Sequence, residues 1–129
     1  MTKSRFSLLL LFICLSVILM ISCSKTSEDK LITTNGQTCD TAGMKYGSNV
    51  IPVLQANCYS CHSNGNTDGS GGIRLDTYAD LKKYADNGFL AGNISHASGF
   101  IGMPYGLPKM DDCNINTIID WINRGAQND

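Results

Sequence analysis

The nine residues "NCYSCHSNG", positions 57–65, constrain this chain more than any other stretch, because they bring two cysteines and a histidine within five positions. Cys58 and Cys61 are separated by two residues, and His62 follows at once. Such spacing occurs in three kinds of site: zinc sites, redox-active disulfides and covalent haem attachment motifs. The rest of the sequence has to decide among the three.

The first two kinds of site lack what they need elsewhere in the chain. A structural zinc site takes about four protein ligands, usually at paired positions, whereas Cys39, His96 and Cys113 are isolated in sequence. A redox pair of the thioredoxin type belongs beside a βαβ unit, and no strand pattern is visible. Haem attachment explains every residue of "CYSCH", because two thiols bond the porphyrin's vinyl groups and the histidine binds the iron. We therefore expect one covalent haem c.

The N-terminus has the layout of an export signal. Lys3 and Arg5 precede an apolar run at 8–21, and a small residue stands before Cys23. The run is shorter than the roughly 20 apolar residues of a membrane-spanning helix, so we expect residues 1–22 to form a removable signal peptide. "MISC" is similar to a bacterial lipoprotein cleavage box, in which the cysteine becomes lipid-modified. This predicts Cys23 as an acylated anchor to a membrane.

The rest of the chain is predicted to contain a tether and one domain. Residues 23–42 are rich in Ser, Thr, Asn and Gly and are expected to be a flexible tether, followed by a single domain at 43–129. Export to an oxidising compartment favours disulfides, so the two left-over cysteines, Cys39 and Cys113, are expected to form one. The Lys and Arg residues of the domain are scattered, which argues against nucleic-acid binding.

The apolar pattern predicts an all-α domain of about three to four helices. Apolar residues recur at helical spacing before the motif, after Thr77 and in the last segment, and Thr77 with Asp80 makes a variant capping box. Between Phe89 and Lys109 six residues are Gly or Pro, which predicts irregular chain. Large apolar residues are few, so the core is thin. We expect a buried cofactor to complete it.

With these features, the region 43–126 resembles a class I c-type cytochrome domain. The resemblance rests on "CYSCH", on "MP" some forty residues later and on a terminal helix carrying "DWINRG". It implies a small cytochrome c-like fold wrapped around one covalently attached haem. It also implies that Cys58 and Cys61 are the covalent anchors, that His62 is the proximal iron ligand and that Met103 is the distal ligand.

Three side chains compete for the distal position. Met103 is followed by Pro104, which stiffens the loop, and is preceded by glycines that let the backbone approach a flat ring. Met110 stands a few residues further along, and His96 would make a bis-histidine site. We expect Met103 to be the ligand.

One feature of the family is missing. The family commonly has a proline about ten residues after the motif, and its carbonyl accepts the N–H of the proximal histidine. Here that region reads "SGGIRLD". We expect a carbonyl near Gly72 or Ile73 to take this role.

The resemblance implies an electron carrier rather than an enzyme, because histidine and methionine together fill both axial positions. Its expected place is the bacterial cell envelope, lipid-anchored and facing the periplasm or the cell surface. The expected partners are redox proteins, met through small, transient contacts. The alternative is a haem-containing ligand-binding or peroxidase-like protein, in which the distal position is open or labile.

Overall fold

The computed structural model describes residues 32–34, 37–65 and 69–129. The predicted signal peptide and Cys23 lie outside these ranges. The described chain is small and mainly helical, which agrees with the predicted all-α class. No helix in the described residues is long and apolar enough to span a membrane. Its elements are β1 (Ile32–Thr34), β2 (Gln37–Cys39), a π-helical turn (Tyr46–Val50), α1 (Ile51–Asn57), α2 (Tyr59–His62), α3 (Tyr78–Asp86), α4 (Phe89–Ile94) and α5 (Asp112–Asn123).

A short antiparallel ribbon corrects the expectation that the chain has no strands. β1 pairs with β2 so that Ile32 lies opposite Cys39. Both strands fall in the segment 23–42 that was predicted to be a tether. A disulfide joins Cys39 to Cys113, with the two Cα atoms 5.8 Å apart, and β1 contacts α5. The ribbon therefore forms where the disulfide holds the chain against the last helix. Because this contact is between residues far apart in sequence, the local sequence does not indicate it.

The first helical segment carries the motif. The π-helical turn leads directly into α1, and Pro52 stands in the first turn of α1, where a missing N–H costs no hydrogen bond. Val50 and Leu54 are fully buried, four residues apart on one face. Burial of that face fixes the rotation of α1, and with it the direction in which the chain leaves the helix at Cys58.

Helix α3 begins where the sequence predicts, and a glycine follows its C-terminal end. The Thr77 hydroxyl oxygen accepts a hydrogen bond from the Asp80 backbone N–H at 3.2 Å and donates to the Asp80 carboxylate at 2.6 Å, which confirms the capping pair. Gly88 follows the helix with φ +79°, a left-handed conformation that glycine adopts without strain. Leu81 and Ala85 face the core.

Helix α4 corrects the expectation of irregular chain throughout 89–109. Phe89–Ile94 are helical, and only the residues after them are irregular. Leu90 and Ile94 are buried four residues apart, so one short apolar face supplies the helix with tertiary support. That i, i+4 pair was present in the sequence but was outweighed by the surrounding glycines and prolines.

Helix α5 closes the core and ties the two ends of the domain together. The Asp111 carboxylate accepts a hydrogen bond from the Asn114 backbone N–H at 2.9 Å and caps the helix. Ile118 and Trp121 are fully buried, and the Trp121 ring stacks on Tyr46 with centroids 5.7 Å apart. The Trp121 indole N–H donates to the Gln127 carbonyl at 2.8 Å, which folds the C-terminus back onto the helix.

Candidate functional site

A cavity of about 360 Å³ opens beside the "CYSCH" motif. We call the lining that comes from residues 57–65 and 69–76 the proximal wall, and the lining that comes from residues 89–110 the distal wall. The volume lies within the range of roughly 300 to 1,000 Å³ that is typical of ligand and cofactor pockets. Most of the lining is apolar, and it includes Ile73, Leu75, Tyr84, Leu90, Ile94 and Leu107.

A single turn of the chain brings the three motif residues to the proximal wall. The α1 helix ends at Asn57, and Cys58 leaves the helical region with φ −123°. The backbone N–H groups of Cys61 and His62 both donate to the Cys58 carbonyl, at 3.1 and 2.9 Å. The side chains of Cys58, Cys61 and His62 all line the cavity as a result.

A backbone carbonyl of the proximal wall makes a hydrogen bond with the Nδ1 nitrogen of the His62 imidazole. The Ile73 carbonyl oxygen lies 2.9 Å from His62 Nδ1. Because a carbonyl only accepts, Nδ1 carries the proton, and the lone pair of the neutral ring is on Nε2. The Leu75 backbone N–H donates to the His62 carbonyl at 2.8 Å, which closes the segment between them. The sequence analysis expected a carbonyl near Gly72 or Ile73 to accept the N–H of His62. In the structure, the Ile73 carbonyl is the acceptor.

A carboxylate reinforces this closure from outside the cavity. Asp76 accepts a hydrogen bond from the Asn64 backbone N–H at 2.7 Å, and the Arg74 guanidinium contacts it at 3.0 and 3.1 Å. The Asn64 N–H and, after it, Arg74 lower the pKa of the Asp76 carboxyl, although partial burial opposes them. Asp76 is therefore held ionised where the ends of the loop after His62 meet.

The two thiols of the motif are free, and one of them is more buried than the other. Cys58 and Cys61 are not bonded to each other, and burial raises the pKa of the Cys58 thiol to about 11. Thiol–disulfide exchange uses the thiolate, which such a pKa disfavours. Cys39 and Cys113 form a disulfide with each other, so neither offers a free thiol to a metal ion at the motif. Across the described ranges, no group of three or more His, Cys, Asp or Glu side chains is placed to hold a metal ion.

The distal wall brings two of the three candidate distal ligands to the cavity. Met103 and Met110 both line it, whereas His96 does not. Met103 is half-buried in irregular chain, while Met110 is 8% exposed and belongs to the hydrophobic core beside α5. The exposed His96 directs its Nε2 to the Met103 carbonyl oxygen, at 3.1 Å.

The sequence did not predict the contribution of α4 to the cavity. Phe89, Leu90, Asn93 and Ile94 line it from this short helix. The signal that was available was the apolar spacing of Leu90 and Ile94.

Comparisons with family models, curated proteins and solved structures find no significant match to the chain.

Proposed function

We propose that this protein is a single-haem c-type cytochrome that carries single electrons in the bacterial cell envelope. The observation that carries the proposal is that one apolar cavity is lined by Cys58, Cys61 and His62 and also by Met103. No other arrangement in the described ranges combines two free thiols, an oriented imidazole and a thioether around one space.

The donor set suits a haem. Cys58 and Cys61 would hold the porphyrin through thioether bonds, and His62 presents Nε2 to the cavity because the Ile73 carbonyl occupies Nδ1. When bound, the haem iron supplies a centre that takes up and gives back one electron. The chain holds the imidazole in one tautomer and one orientation, which is the usual support for a histidine that binds a metal.

Met103 is the better distal ligand of the two methionines at the cavity. Met110 is packed into the core immediately before α5, so turning it toward an iron would leave a void in the core. Met103 is half-buried in irregular chain and lines the cavity. If His62 and Met103 both bound the haem iron, they would leave no ligand position for oxygen or peroxide. Electron transfer therefore suits the site better than catalysis.

The apolar lining gives the site its second property. Leu75, Leu90 and Ile94 line the cavity together with His62 and Met103, so most of the surface around the two candidate ligands is apolar. A dry, apolar surrounding disfavours the form of a redox centre with the greater net charge. The cavity walls therefore act on the reduction potential as well as on retention of the group.

Covalent attachment is tested by the intact mass of the mature protein, produced in a host that matures c-type cytochromes. We expect one haem per chain, loss of residues 1–22 and added acyl groups at Cys23. The variant Cys58→Ser/Cys61→Ser should lose the haem mass. Its matched control, Cys39→Ser/Cys113→Ser, also removes two cysteines and should keep it. A colourless, well-folded wild-type protein from such a host would overturn the proposal.

The distal ligand is tested by the ferric spectrum. We expect a methionine-to-iron charge-transfer band that disappears in Met103→Ala and persists in Met110→Ala. Loss of the band only in Met110→Ala would move the assignment to Met110. A high-spin resting iron that binds cyanide readily in the wild-type protein would favour the alternative, a ligand-binding or peroxidase-like haem protein.

A further inference from the structure

We propose that His96 is a positioning residue for the distal ligand: its ring donates a hydrogen bond that holds the Met103 backbone in place, so that His96 sets how easily the methionine leaves the iron. This inference rests on the proposed function, and it adds a residue to which neither the motif nor the resemblance assigns this role. The argument begins with the ring itself.

The contact between His96 and Met103 has a defined direction. His96 Nε2 lies 3.1 Å from the Met103 carbonyl oxygen, and that oxygen has no proton to give. The imidazole must therefore carry its proton on Nε2 and donate. The ring also lies against the next residue back along the chain, because a Cβ added at Gly102 would come within 3.1 Å of it. The imidazole is thus packed on the backbone that leads into Met103.

The second half of the arrangement fixes the amide side of Met103. The Asn93 carbonyl, at the end of α4, accepts hydrogen bonds from the Met103 N–H at 3.0 Å and from the His96 N–H at 3.2 Å. Met103 is therefore held by its N–H to α4 and by its carbonyl to the side chain of His96, whose own backbone N–H donates to the same Asn93 carbonyl. The irregular chain between His96 and Met103 is closed at both ends by these contacts.

The backbone of His96 indicates that its position is specified. Its φ is +52°, in the left-handed region, which non-glycine residues seldom adopt and in which Asn, Asp and His are enriched. This conformation turns the chain after α4 and aims the ring at Met103. A glycine or asparagine would adopt the same turn with less strain but would not place a donor at that distance.

This geometry predicts how the distal ligand behaves. A molecule such as cyanide reaches the iron only when Met103 has moved away, so its apparent affinity follows the fraction of molecules with the methionine displaced. Removing one neutral hydrogen bond from the closed state should raise that fraction by roughly twofold to tenfold.

The test uses three substitutions in the holo protein. His96→Asn and His96→Gly suit the left-handed backbone but lose the donor, because the asparagine amide is too short to replace Nε2. His96→Gln keeps an N–H donor the same number of bonds from Cα. We expect Asn and Gly to raise the apparent cyanide affinity of the ferric protein by roughly twofold to tenfold and to weaken the charge-transfer band, and we expect Gln to stay near the wild type.

The outcomes separate this inference from the function on which it rests. If Asn and Gly bind cyanide as the wild type does, or if Gln behaves as Asn does, His96 has no positioning role, even where the wild-type band confirms methionine ligation. If the wild-type protein shows no such band, the His/Met assignment and this inference both fail. Thermal unfolding of each variant separates a local effect on Met103 from a general loss of stability, and only the local effect supports the inference.

Discussion

The two walls of the cavity are built differently, although both present a residue to the same space. On the proximal wall, hydrogen bonds reach the functional side chain itself, because the Ile73 carbonyl holds Nδ1 of His62. On the distal wall, hydrogen bonds reach only the backbone of Met103. In the part of the chain that the structure describes, all the exposed large apolar side chains also lie on the distal wall: Phe89, Phe100, Ile101, Tyr105 and Leu107.

This difference indicates that the position of His62 is fixed and that the position of Met103 is adjustable. An imidazole held in one tautomer and orientation is organised before anything binds to it. A thioether carried on a backbone that is held at two points can turn or withdraw at the cost of a few weak contacts. We therefore expect changes in the proximal wall to affect folding, and changes in the distal wall to affect the identity or lability of the sixth ligand.

The largest contrast is expected between two leucines. Leu54 on α1 is 0% exposed, whereas Leu107 on the distal wall is 64% exposed. Leu54→Ala removes a fully buried side chain beneath the motif and should lower the free energy of unfolding by about 2 to 5 kcal/mol. Leu107→Ala should lower it by less than about 0.5 kcal/mol. Urea unfolding of the two variants measures both values, and equal losses would contradict the expectation that the helix leading into the motif contributes more to stability than the distal wall does.

The disulfide is expected to have the next largest effect. It joins residues that are 74 positions apart and holds the β1–β2 ribbon against the start of α5, directly after the distal wall. Closing a loop of that length contributes about 4 kcal/mol in the chain-entropy model. Cys39→Ala/Cys113→Ala should lose about this much in urea unfolding while the haem content stays unchanged. Loss of covalent haem in this variant would show that the two walls do not form independently.

A smaller effect is expected where the distal wall packs on α4. A Cβ added at Gly92 would clash with the Phe100 ring, so Gly92→Ala forces that ring and its loop to move. Overpacking of this kind costs about 1 to 3 kcal/mol. The distal loop should loosen, with a weaker methionine-to-iron band, while the spectrum of His62 ligation persists.

The matched control for this change is the double variant Gly92→Ala/Phe100→Ala. It removes the clash, so the double variant should recover part of the band and of the stability that Gly92→Ala loses. Strictly additive losses in the double-mutant cycle would show that the two residues do not interact through this contact.

Sequence patterns predicted those parts of the molecule whose causes are local. The capping pair Thr77 and Asp80 and the motif turn are set by neighbours within four residues, and both were predictable. The carbonyl partner of His62 was predictable to within a residue because the resemblance to c-type cytochromes implies a carbonyl acceptor near that point. The ribbon and α4 were not predictable. The ribbon depends on a disulfide between residues 74 positions apart, and α4 depends on burial of Leu90 and Ile94 by the rest of the fold. The role of His96 was also not predictable, because its partner becomes a neighbour only when the chain between them turns.

The smallest effect is expected at the closure of the proximal wall, and it depends on pH. The Asn64 N–H and then Arg74 lower the pKa of Asp76 in the folded protein. A group with a lowered folded pKa stabilises the protein above its ordinary pKa, about 3.9 for Asp, and that stabilisation is lost as the pH falls through the lowered value. Asp76→Asn should therefore be less stable than the wild type at neutral pH, and the two stabilities should converge in acid.

Amide exchange shows whether this effect acts on His62. The Leu75 N–H donates to the His62 carbonyl beside Asp76, so Asp76→Asn should speed its exchange at neutral pH. The matched control is Asp86→Asn, which removes an ion pair with Lys82 on the surface of α3 and should leave the Leu75 amide unchanged. If both variants speed the exchange equally, Asp76 acts through general stability, and the rigidity of the proximal wall comes from the Ile73 carbonyl and the motif turn without help from the carboxylate. If only Asp76→Asn does so, the carboxylate is part of what holds the imidazole, and the contrast with the backbone-only support of Met103 becomes sharper.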